Sequence, residues 1–123
     1  ARQRAIMTQF VKAAVANGKG VVVDTIGVKD RVKRAKEAIA LGAEFVELHA
    51  GLDEQAEDGY SIQVLIDEAA RAGVKVSIAG GVNSSSITAV KQSGAIVAVA
   101  GAAIYGAEDP AQAAKELNEL LNA

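Results

Sequence analysis

An α/β fold of parallel (β/α) units is what the sequence predicts, and three observations predict it. One phrase recurs four times: a helical stretch, a glycine, a short apolar strand, a glycine. The copies are Gly18–Gly27, Gly42–Gly51, Gly73–Gly81 and Gly94–Ala102. Each strand is followed by apolar residues at helical spacing, and strand–helix alternation builds a parallel sheet with helices packed on it. The strands themselves are apolar without alternation, as expected when both faces are buried. Parallel sheets of this kind put their chemistry at the C-terminal ends of the strands. Those ends carry Asp24, His49, the Gly80-Gly81 pair and Gly101.

The first helix is expected over about residues 2–17, with Ile6, Phe10, Val11, Ala14 and Val15 on one face and a stop at Asn17-Gly18. The first strand runs from Gly20 to Thr25. Asp30 then caps a helix that turns Val32, Ala35, Ala38 and Ile39 inward and stops at Gly42. Phe45 to His49 form the second strand, and residues 51–59 an acidic polar loop with Asp53, Glu54, Glu57 and Asp58. Ser61 caps the next helix, which bears Ile62, Leu65, Ile66 and Ala69 and stops at Gly73. The third strand is Lys75 to Ala79. The Ser84-Ser85-Ser86 cluster opens a short helix through Ile87 and Val90, and Ile96 to Ala100 form the fourth strand. Asp109-Pro110 starts the last helix, with Asp as cap and Pro at the first helical position. Its inward face is Ala114, Leu117, Leu120 and Leu121.

At 123 residues, half of them hydrophobic, the chain suffices for one domain with a core, and no linker divides it. A net charge of −2 without a basic run argues against nucleic-acid binding. The absence of cysteine excludes disulfides and thiol chemistry. No apolar run approaches the length of a membrane span, and nothing resembles a signal peptide, so a soluble cytoplasmic protein is expected. The chain opens on Ala1 and goes straight into a helix before its first strand, which suggests the C-terminal part of something larger.

Each candidate residue has a functional and a structural reading. Glycines at Gly80, Gly81 and Gly101 let backbone amides approach an anion, and in closed barrels the last two strand ends form the usual phosphate site; equally, they could only make tight turns. Asp24 ends an apolar strand, where a carboxylate is costly unless paired or solvated. It serves either as a cap or loop acceptor, or as a polar contact to substrate or metal. His49, the single histidine, is an acid–base, a ligand or a structural residue. Glu47 shares its strand parity and therefore its face, yet no lysine or arginine in the strands is placed to pair with it. The acidic loop lacks the alternating ligand pattern of a calcium site, and no metal constellation, dinucleotide fingerprint or P-loop is present.

Four segments carry a family resemblance. They are Gly20-Val21-Val22-Val23-Asp24, His49-Ala50-Gly51-Leu52-Asp53-Glu54-Gln55-Ala56, Ile78-Ala79-Gly80-Gly81-Val82 and Val99-Ala100-Gly101-Ala102-Ala103-Ile104-Tyr105-Gly106-Ala107. In order and spacing these resemble 3-hexulose-6-phosphate synthase, of the orotidine-5′-phosphate decarboxylase suprafamily. The His-x-Gly-x-Asp-x-Gln-Ala string is the specific part; glycine-ended strands are shared by many phosphate-binding barrels. The resemblance implies the C-terminal half of a ribulose-phosphate-binding (β/α)8 barrel: the fifth to eighth strands with one preceding helix. It also implies an aldol reaction, in which ribulose 5-phosphate loses a proton to give a magnesium-bound enediolate that adds to formaldehyde, yielding a 3-hexulose 6-phosphate. His49 and Asp24 match the family's active-site positions, and Gly80, Gly81, Gly101 and Ala102 its phosphate cradle. The family's Asp-x-Lys-x-x-Asp string is absent, so the Mg2+ ligands are expected mostly outside this stretch. The related 3-keto-L-gulonate-6-phosphate decarboxylase carries arginines where Leu52 and Ala102 stand, which favours the synthase.

The expectation is therefore the phosphate-bearing portion of a formaldehyde-fixing aldolase, catalytically silent alone. Its partners would be a sugar phosphate and a second copy, since two exposed strand edges invite a homodimer. The competing expectations are a non-catalytic phosphate-binding or structural half barrel and an open flavodoxin-like sheet. Strand order separates the last of these from the others.

Overall fold

The computed structural model describes residues 2–123. Four strands, β1 (Val22–Asp24), β2 (Phe45–His49), β3 (Val76–Ala79) and β4 (Val97–Val99), form one parallel sheet in the order β1-β2-β3-β4. The helices are α1 (Arg2–Ala16), α2 (Arg31–Leu41), α3 (Leu52–Gln55), α4 (Gln63–Ala72), α5 (Ile87–Gln92), α6 (Ala102–Tyr105) and α7 (Pro110–Leu121). Sequential order is what barrels use; a flavodoxin-like sheet reverses direction at a switch point. Parallel crossovers are right-handed as a rule, and with sequential strand order that rule gathers the helices on one face of the sheet. Accordingly α1 packs on α2, α2 on α4, and α5 on α7.

Register explains the two faces. Asp24, Glu47, Ser77 and Val97 stand side by side across the sheet, as do His49, Ala79 and Val99. Their neighbours Val46, Leu48, Ala50, Val76 and Ile78 point the other way and form the core with Ala35, Ala38, Leu65, Val90 and Leu117. Among the described residues, no helix covers the opposite face. Val22 is 47% exposed and Val97 42%, so the expectation of strands buried on both faces holds only for β3.

Most start and stop signals act as read. Asp30 accepts from the Lys33 amide at 3.0 Å, Asp109 accepts from the Gln112 amide at 3.1 Å, and α2 ends on a left-handed Gly42. The departures have physical causes. Of the apolar face expected on α1, Val11 is fully buried while Ile6, Phe10 and Val15 are more than half exposed, because among the described residues no strand lies beyond β1 to receive them. The acidic loop folds its first residues into α3. Ser61 lies before α4 and only accepts from the Gln63 amide, at 3.2 Å. The serine cluster caps nothing itself: Asn83 Oδ1 accepts from the Ser85 and Ser86 amides ahead of α5. The short α6 has no counterpart in the sequence pattern.

Candidate active site

The ends of β1 and β2 are locked together by Thr25, which is fully buried. Its hydroxyl donates to the Glu47 carbonyl at 2.7 Å, and the His49 amide donates back to that hydroxyl at 3.3 Å. This fixes His49 beside Asp24. The His49 Nδ1 lies 3.1 Å from both Asp24 carboxylate oxygens and 3.4 Å from Glu47 Oε2. An ionised carboxylate can only accept, so this contact suits the His49 tautomer with its proton on Nδ1, which leaves Nε2 without a hydrogen-bond partner among the described residues. Asp24 also accepts from the Ile26 amide at 2.9 Å, as its reading as a loop acceptor requires. Glu47 lies against His49 and accepts from the Ser77 hydroxyl at 3.4 Å, and among the described residues no lysine or arginine pairs with it.

Burial pushes the Glu47 carboxyl up from the ordinary glutamate range, and the neighbouring Asp24 charge adds to it. The folded protein therefore binds a proton there that the unfolded chain has released. Stability must fall as pH rises through the window between the ordinary and the raised value. Glu47→Gln removes that titration. Urea midpoints between about pH 4 and about pH 8 should show a flatter profile for the variant and a gain in stability at the upper end. An unchanged slope would assign the titration to another group.

Asp24, Glu47 and His49 each bring a donor atom within 4.8 Å of the other two. Two crowded carboxylates repel, and a hard divalent cation would relieve that repulsion through the oxygen ligands such ions prefer. The donor set therefore fits Mg2+ through Asp24 and Glu47, with the softer imidazole better suited to hydrogen bonding. No metal set was legible in the sequence because its members come from two strands.

The second part of the site lies across β3 and β4. Gly80 and Gly81 follow β3 with φ of +125° and +106°, a region closed to most side chains. A Cβ on Gly80 would stand 2.7 Å from the Ala50 carbonyl oxygen. The next turn is less constrained, since Gly101 has φ −111°. A cleft of about 510 Å³ brings His49, Gly80, Gly81, Gly101 and Ala102 together, joined by Gln55 and Tyr105. Asp24 is not part of its wall and reaches it through His49. Among the described residues, the amides of Gly81, Val82, Ala102 and Ala103 donate to no other backbone group.

Sequence reading missed Arg31, which is 6% exposed. Its guanidinium binds Glu54 in fork fashion at 2.6 and 2.9 Å, while Nε donates to Glu68 at 2.8 Å. Glu54 thus leaves the solvated loop to which it was assigned, whereas Asp53, Glu57 and Asp58 are exposed as expected. Only the pattern of an arginine opening an apolar helix face hinted at this.

The sequence profile of the orotidine 5′-phosphate decarboxylase / HUMPS family matches residues 1–117. A protein of Mycobacterium gastri named 3-hexulose-6-phosphate synthase is 60% identical over 107 residues, covering 87% of this chain and 52% of that protein. One of the same name from Methylomonas aminofaciens is 43% identical over 111 residues, covering 89% and 53%. A crystal structure titled 3-hexulose-6-phosphate synthase superimposes with a TM-score of 0.89 at 54% identity, covering 96% of this chain and 57% of that one. The chain spans about half the length of the relatives it matches. No helix among the described residues is long and apolar enough to cross a membrane.

Proposed function

This chain belongs to the orotidine 5′-phosphate decarboxylase / HUMPS family, and from that premise we propose that it supplies the phosphate anchor and one proton-handling group of a 3-hexulose-6-phosphate synthase. Residues 1–123 would act as one (β/α)4 unit, the C-terminal half of the barrel. The reaction is an aldol addition. Ribulose 5-phosphate loses a proton from C1, the resulting enediolate carbon bonds to formaldehyde, and the formaldehyde oxygen takes up a proton, leaving a 3-hexulose 6-phosphate. The observation that carries this reading is the shared cleft: His49 and the Gly80, Gly81 and Gly101 turns line one volume of about 510 Å³.

The geometry supports the following roles. Amides of the glycine turns would bind the phosphate, and Ala102 leaves room beside them. Asp24 holds the Nδ1 proton of His49, so that Nε2 can take or return a proton at a substrate oxygen. Mg2+, held in part by Asp24 and Glu47, would stabilise negative charge on substrate oxygens when bound.

Alone, the chain is read as silent, because the resemblance places the carboxylates and lysine of enediolate formation outside this stretch. Its exposed β1 and β4 edges support a homodimer, which sedimentation of the 123-residue chain would reveal as twice the monomer mass. We place it in the cytoplasm with the phosphorylated sugars it would act on.

Calorimetric titration tests the binding half of the proposal. Ribulose 5-phosphate should release heat and saturate, whereas unphosphorylated ribulose should not. Equal responses to the two sugars would remove the phosphate anchor from the account.

A further inference from the structure

The carbonyls of the glycine turn are each held from behind by a side-chain hydroxyl. The Tyr60 hydroxyl donates to the Gly80 carbonyl at 2.6 Å. The Ser86 hydroxyl donates to the Gly81 carbonyl at 2.9 Å and accepts from the Asn83 amide at 3.0 Å. In a trans peptide the C=O and the following N–H point in opposite directions. Fixing the Gly80 carbonyl therefore fixes the Gly81 N–H, and fixing the Gly81 carbonyl fixes the Val82 N–H. Neither amide donates to another backbone group among the described residues, and both residues line the cleft.

We propose that Tyr60 and Ser86 are positioning residues for anion binding, setting the direction of the Gly81 and Val82 amides without touching the ligand. This rests on the phosphate-anchor reading above and adds to it the groups that preorganise the anchor. Glycine at both turn positions makes the loop permissive to several orientations. Two hydroxyl clamps remove that freedom before a ligand arrives, so the ordering cost on binding is lowered. Tyr60 is itself half-buried, and burial together with Glu54 pushes its phenol up, so it stays a donor at neutral pH. Ser86 is tied into the Asn83 turn, which aims its proton at the Gly81 carbonyl.

Inorganic phosphate titrated into the 15N-labelled chain provides the test. In the unaltered protein the Gly81 and Val82 amide signals should shift and saturate. Tyr60→Phe and Ser86→Ala should each weaken that response by roughly three- to tenfold, the range expected for one hydrogen bond. Ser86→Thr, which keeps the hydroxyl, should restore it. Thermal melts identify any variant that has lost its fold, and Ser86→Ala against Ser86→Thr then decides the matter without Tyr60. Variants that bind phosphate as the unaltered chain does would overturn the clamp while leaving the anchor standing. An unaltered chain whose glycine-turn amides ignore phosphate would overturn both.

Discussion

Gly80→Ala is expected to destabilise the fold by about 3 kcal/mol and to weaken phosphate binding at least tenfold. Two independent effects add. At φ +125° an L side chain is strained, which costs on the order of 1–3 kcal/mol. The new methyl would also meet the Ala50 backbone oxygen at 2.7 Å and the Ala50 Cβ at 2.9 Å. Those atoms belong to the β2 end that carries His49, and neither is the tip of a flexible side chain. Relief requires the β3 turn to swing away, and that swing breaks the Tyr60 hydrogen bond and misdirects the Gly81 amide. Urea unfolding and phosphate titration of one sample measure both losses. Gly101→Ala serves as the contrast, because its methyl would meet only the Tyr105 ring edge, at 3.3 Å. Equal stability losses at the two positions would contradict the steric account.

Arg31→Met should cost about 3–5 kcal/mol, the usual penalty for removing one partner of a buried ion pair. The Glu68 side chain is 10% exposed and Glu54 32%, so neither can regain full hydration when the guanidinium is gone. The two carboxylates keep Arg31 charged at any working pH, raising its proton affinity above even the ordinary arginine value. The triad joins the start of α2 to α3 and α4, and α3 begins three residues after His49. Its loss should therefore also loosen Leu52 and Gln55 at the cleft wall, visible as faster amide exchange there. Removing the charges together, as Arg31→Met/Glu54→Gln/Glu68→Leu, should recover much of the stability. A single variant that loses less than about 1 kcal/mol would show that the triad is solvated rather than buried.

The fold was legible where local chemistry decides it. Glycine-bounded apolar runs, an Asp-Pro helix start and Asp30 as cap specify their elements within a few residues, and strand–helix alternation specifies a parallel sheet. Strand order was not legible, because crossovers of similar length serve barrels and open sheets alike. Nor was the bare face: Val22 and Val97 look as apolar as Val46, and only the third dimension separates the covered from the uncovered. At the site, His49 and the glycines stood out because a lone histidine and paired glycines are unusual at strand ends. The role of Glu47 depends on register across three strands, so its parity with His49 could be read but its Ser77 contact could not. Arg31, Tyr60 and Ser86 stayed hidden because each acts across 5 to 37 residues of chain, on partners no local pattern names.

The most direct measurement is turnover of ribulose 5-phosphate with formaldehyde and Mg2+. It compares this chain alone with this chain co-expressed beside the region of the Mycobacterium gastri relative that it does not match. No product is expected from the chain alone, product is expected from the pair, and that product should be lost when His49 is changed to alanine. Product from the chain alone, or from a pair indifferent to His49→Ala, would contradict the proposed function.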